Sequence, residues 1–100
     1  MRRESSPGKI VGDDSAVADF QKLKSVYDKK DWKTLAEMSE EQIRQRPEWL
    51  TPYLLAGIAY ANLGNKEAAI KNLEFVSDKS VGMKEYSDAD RILKLLKQQP

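Results

Sequence analysis

The sequence predicts an all-α protein, a short α-solenoid of about five helices arranged as stacked antiparallel hairpins. Three observations carry that expectation. Residues 52–76, PYLLAGIAYANLGNKEAAIKNLEFV, place apolar side chains at helical spacing on both sides of the break Leu63-Gly64-Asn65. The same pattern of apolar positions and turn returns when the chain is shifted by 34 residues. A further amphipathic run follows, with Ala89, Ile92, Leu93 and Leu96 at i, i+3, i+4 and i+7.

Taken in order, residues 1–12 are polar, carry Pro7, Gly8 and Gly12, and are expected to form a flexible tail or linker. Their charged start has no apolar stretch behind it, so it does not read as a secretory signal. Asp13, Asp14 and Ser15 offer N-cap chemistry, and Ala16, Phe20, Leu23, Val26 and Tyr27 form a stripe that ends at Lys29-Lys30, giving a helix over 15–29. Asp31 is the expected cap of a second helix, in which Trp32, Leu35, Ala36, Met38, Ser39 and Ile43 alternate with charged residues until Pro47.

The third helix is expected to start at Thr51-Pro52 or earlier, near Glu48. Its stripe is Tyr53, Ala56, Gly57, Tyr60 and Leu63. A glycine inside a helix costs about 1 kcal/mol against alanine. Gly57 therefore predicts a neighbouring backbone too close for a side chain, with Ala69 as the small residue that meets it. Gly64 suits the left-handed residue that closes a helix, and Asn65 caps the next one, with Ala69, Leu73 and Val76 on its apolar face. After Val76 the periodicity is lost over Ser77–Gly82. Ser87 with Asp90 then resembles a capping box opening a last helix whose other face carries Arg91, Lys94 and Lys97. This helix is expected to be a terminal cap.

Tyr53, Gly57, Tyr60, Gly64, Ala69 and Leu73, with Pro47 upstream, fall at the spacing of the tetratricopeptide repeat (TPR), a helix pair of about 34 residues. The chain resembles that family over two units, repeat one at 16–49 and repeat two at 50–83, followed by a capping helix at 86–98. Ala56 stands where the family usually has leucine, Leu73 where an aromatic is common and Val76 where alanine is common. Repeat one departs further, with Lys30 at the turn glycine and Leu35 at the small alanine.

One hundred residues make one small domain, able to bury roughly two thirds of its unfolded surface. The absence of cysteine and histidine removes thiolate metal sites, thiol nucleophiles and the commonest general base. Seventeen Lys and Arg against sixteen Asp and Glu leave a net charge of +1, which favours neither nucleic acid nor an anionic membrane. No apolar run reaches the roughly 20 residues of a membrane span, so no membrane insertion is expected and a cytoplasmic setting is favoured. Carboxylate pairs such as Glu37 and Glu41 lie i, i+4 on a charged face and read as solvated neighbours. No enzyme, cofactor or metal site is expected.

In the TPR family the first helix of each pair lines a concave groove. The resemblance places Phe20, Lys24, Tyr27 and Asp28 there from repeat one, and Thr51, Leu54, Leu55, Ile58 and Asn62 from repeat two. Leu54 and Ile58 form an apolar pair left over once Tyr53, Ala56, Gly57 and Tyr60 fill the hairpin core. The expected role is therefore a scaffold or adaptor that holds a partner's peptide or helix by apolar contact, with Lys24 and Asn62 fixing its orientation. Phe20, Lys24 and Leu55 occupy positions where some members carry a lysine and asparagine carboxylate clamp, so binding of a chaperone's terminal carboxylate is disfavoured. Self-association through the groove or the last helix is the alternative. A helical-repeat RNA binder using Tyr27, Lys24 and Lys94 is a weaker one.

Overall fold

The computed structural model describes residues 14–98, so the tail assigned to 1–12 lies outside the described residues. Five helices follow one another: α1 (Asp14–Asp28), α2 (Trp32–Gln45), α3 (Leu50–Asn62), α4 (Lys66–Lys79) and α5 (Ser87–Gln98), the last entered through a 3-10 turn at Lys84–Tyr86. The described residues contain no strand. None of their helices is long and apolar enough to cross a membrane.

The 34-residue offset is written into the backbone. At the first turn Lys30 N–H donates to Tyr27 O (2.9 Å) and Asp31 N–H to Val26 O (3.3 Å). At the second, Gly64 N–H donates to Ala61 O (3.3 Å) and Asn65 N–H to Tyr60 O (2.9 Å). Both are the paired bonds that close a helix through one left-handed residue. Gly64 has φ +85 and costs nothing there, whereas Lys30 takes the same region at φ 60, which for a side-chain-bearing residue costs about 1–2 kcal/mol. The caps repeat as well: Asp31 accepts from Thr34 N–H (3.3 Å) and Asn65 from Ala68 N–H (3.2 Å). The exits repeat in turn, with Arg46 N–H to Gln42 O (2.7 Å) matched by Ser80 N–H to Val76 O (2.9 Å), and Trp49 N–H to Arg46 O (3.0 Å) matched by Met83 N–H to Ser80 O (2.8 Å). Every pair differs by 34 positions, but α3 starts directly at Leu50, whereas the 3-10 turn at Lys84–Tyr86 stands in the place of that first turn before α5.

Two apolar cores result. Leu23, Leu35, Ala36, Trp49, Leu55 and Ala59 fill the first, between α1, α2 and α3. Ala69, Leu73, Val76, Ala89, Leu93 and Leu96 fill the second, with Tyr53, Leu54 and Ile70 packed against it. Tyr60 touches both. Full burial of a leucine stabilises by about 1.5–3 kcal/mol, and Leu23, Leu35 and Leu73 are all 0% exposed.

The structure corrects several local readings. Helix α3 starts at Leu50, between the two expected starts, and its cap is Trp49 and not Thr51, which lies inside the first turn; Pro52 sits, as expected, where the N–H would be unpaired in any residue. Helix α4 continues past Val76 to Lys79. Ser87 is already helical (φ −62, ψ −23) and does not act as an N-cap, while Asp90 accepts a hydrogen bond from the Ser77 hydroxyl on α4. At Gly57 the crowding comes first from a side chain. A Cβ there would meet Leu73 Cγ at 2.6 Å and Cδ2 at 2.7 Å, with the Ala69 carbonyl oxygen at 3.4 Å.

Candidate partner-binding face

Helices α1, α3 and α5 hold equivalent places in the repeat, so residues 34 apart face the same way. Each uses three sides. Toward the following helix α1 turns Leu23 and Val26, and α3 turns Tyr53, Gly57 and Tyr60. Toward the preceding helix α3 buries Leu55 and Ala59, and α5 buries Ala89 and Leu93. The third side carries three matched rows: Phe20, Leu54 and Asp88; Lys24, Ile58 and Ile92; Tyr27, Ala61 and Leu95.

That third side is mainly apolar, with the exposed charges of Lys24 and Asp88 in it, and is partly open. Phe20 and Tyr27 are each 38% exposed, Leu95 is 57% exposed, and Leu54, Ile58, Ala61 and Ile92 are half-buried. Tyr27 is held edge-on to Trp32, with ring centroids 5.7 Å apart, so its orientation is fixed by α2. Lys24 forms an exposed ion pair with Asp28 at 3.3 Å, one helical turn away. Asn62 donates its side-chain amide to Ile58 O (2.9 Å), and the Thr51 hydroxyl shares a 3.0 Å hydrogen bond with Tyr86, linking α3 to the entry of α5.

The expected groove residues therefore separate. Phe20, Lys24, Tyr27 and Ile58 lie on the open side, with Asn62 exposed at its end. Leu55 does not: it is 9% exposed and belongs to the first core, which removes it from the candidate site. Leu54 is partly taken by the second core, to which α5 contributes, so it is a wall of the face more than an open contact. Thr51 is half-buried and engaged with Tyr86. Sequence reasoning missed Val17, 46% exposed at the position matching Thr51, and Ile92 and Leu95 on α5. Carrying the 34-residue step one unit further would have found the last two.

On the opposite side several polar groups are paired within the chain. The Tyr60 hydroxyl donates to the Glu40 carboxylate (2.9 Å), and Tyr53 donates to Pro47 O (2.9 Å) while its ring lies 4.3 Å from that of Phe75. Burial, then the hydrogen bond and the charge of Glu40, push the Tyr60 phenol above its usual range. Burial pushes Tyr53 the same way, helped by the charges of Glu48 and Glu40. Glu37 pairs with Lys33 at 3.7 Å, whereas Glu41 accepts from Arg44 and from Gln45 (2.8 Å), bonds that hold its carboxyl below the ordinary range. The two carboxylates thus have separate cationic or amide neighbours. Among the described residues no three metal-ligating side chains converge. Compared with protein-family models, curated proteins and solved structures, the chain finds no match.

Proposed function

We propose that the chain is a TPR-like interaction module, a scaffold or adaptor that holds a peptide or helix of a partner protein along α1, α3 and α5. One observation carries the reading: Phe20, Tyr27, Ile58 and Leu95, on three different helices, fall in matched rows of one side and leave apolar surface open to solvent. A peptide lying across those rows would bury aromatic and aliphatic side chains held by rigid helices, the arrangement that helix-in-groove recognition uses. The charge pattern favours protein over RNA, because Lys24 is paired with Asp28 and the net charge is +1, whereas phosphate contacts need clustered cations.

The test replaces open contacts and spares the core. Phe20→Glu with Ile58→Glu should leave the circular dichroism helical while the proteins captured by wild type in a pull-down, identified by mass spectrometry, are lost. Capture that survives the double change moves the site to another surface.

A further inference from the structure

Of the side chains described in α1, from Val17 onward, Leu23 alone is buried, against three or more in each of the other four helices. Asp19 and Val26 are half-buried and the rest are exposed. Leu23 is one of six buried residues in the first core, whereas α5 supplies three of the six in the second. Helix α1 packs chiefly on α2. Its remaining hold is concentrated near its two ends. Toward the start, Asp19 accepts from the Arg46 guanidinium (2.9 Å), with side chains 24% and 12% exposed, so salt screens this pair less than a surface pair. Arg46 is itself fixed by Gln42 and stands 5.7 Å over the ring of Trp49, which is buried in the first core. Toward the other end Tyr27 lies edge-on to Trp32, and the turn into α2 passes through Lys30 at φ 60. That left-handed conformation strains a residue with a side chain, whereas Gly64 takes it freely at the matching place.

We propose that α1 undocks from α2 as one unit while α2 to α5 stay folded, with the Asp19–Arg46 pair as its latch and Lys30 as its hinge. Little buried apolar surface opposes the opening, and the strain at Lys30 is released by it. A helix of 15 residues is marginal in water on its own, so undocked α1 melts and exposes its amides. Undocking takes Phe20, Lys24 and Tyr27 away from the open side and leaves Ile58 and Leu95 in place. A partner shifts this equilibrium only by what it gains from docked over undocked α1. One that touches Phe20 or Tyr27 therefore closes the latch, and one confined to α3 and α5 does not. That consequence rests on the function proposed above; the latch and the hinge do not.

Hydrogen exchange of the full chain, followed amide by amide at rising urea concentrations too low to unfold it, tests the proposal. Amides from Gln21 to Asp28 should share one opening, on the order of tenfold more frequent than that of α3. It should depend weakly on urea, because little surface is exposed. A gradient along the helix, fast at Gln21 and as slow as α3 at Tyr27, is end fraying and would overturn the proposal, as would α1 opening only together with α3. Asp19→Asn keeps the size of the side chain without its charge and should speed the exchange of α1 about fivefold or more, leaving α4 and α5 unchanged. Lys30→Gly should act in the opposite sense, slowing α1 by up to about tenfold, because glycine takes the same φ without strain. Both substitutions leave every buried side chain in place. Asp19→Asn that speeds all helices alike, or none, removes the latch, and Lys30→Gly that speeds α1 removes the strained hinge; either result overturns the proposal.

Discussion

Residues 34 apart exchange size across the two hairpins. In the second, the small residue Gly57 stands on α3 and the large Leu73 on α4. In the first, Leu23 takes the glycine's place on α1 and Ser39 takes the leucine's place on α2. Each hairpin thus has one large residue and one small one at this matched pair of positions, in opposite order. Gly57→Leu should overfill its crossing and destabilise by roughly 1–3 kcal/mol or more, a loss of about 4–8 °C in Tm for each kcal/mol. Gly57→Leu with Leu73→Ala recreates the order of the first hairpin and should recover part of that loss in thermal denaturation. Strict additivity of the two changes would refute the exchange. Ser39 gives a second test, because its Oγ is fully buried with no hydrogen-bond partner. A buried hydroxyl left unpaired costs about 1–3 kcal/mol, and alanine is the better helix former. Ser39→Ala should therefore raise Tm, and a fall would mean that the hydroxyl is satisfied in solution.

At the scale of elements, the two outer helices differ from α3 on the sides that α3 buries. Where α3 buries Pro52, Leu55 and Ala59, α1 has Ala18, Gln21 and Ser25, all exposed. Where α3 turns Tyr53, Gly57 and Tyr60 toward α4, α5 has Ser87, Arg91 and Lys94, also exposed. Those charges keep the outer side of α5 wet, as the end of a repeat stack requires. Giving that side an apolar pair by Arg91→Leu with Lys94→Tyr should cause association that grows with concentration in sedimentation, relative to the parent chain. Unchanged sedimentation would show that these charges do not guard the end. The turns and caps at Asp31, Gly64 and Asn65 were legible in the sequence because their chemistry is local, decided within four or five residues. The assignment of Leu55 was not. The run Tyr53–Ala61 is apolar nearly all round, so periodicity alone cannot say which side meets α2 and which stays open. Ser87 and Asp90 misled for a related reason: the bond from Ser77, thirteen residues away, depends on how α5 docks.

For the molecule as a whole, the joint between the two cores is Tyr60. Its ring touches both apolar clusters, and its hydroxyl donates to Glu40 on α2. The phenol's pKa is raised in the folded chain by burial and by Glu40. The neutral form is therefore favoured by folding: its contribution is full below the unfolded value of about 10 and is lost as pH rises through the raised folded value. Tyr60→Phe keeps the ring, removes the titration, and should shrink the fall in stability above pH 10, leaving the share due to Tyr53. Tyr60→Ala removes the ring itself. Stacked repeats are coupled chiefly by nearest-neighbour interfaces, so a joint emptied of this shared side chain should let the α1–α2 end and the α4–α5 end unfold separately. Urea titration followed by tryptophan fluorescence from Trp32 and Trp49, both in or against the first core, and by far-ultraviolet circular dichroism from all five helices should give coincident curves for wild type. For Tyr60→Ala the two curves should separate, since the fluorescence reports one end alone. Coincident curves in the variant would place the coupling in the backbone of α3 and remove Tyr60 from that role.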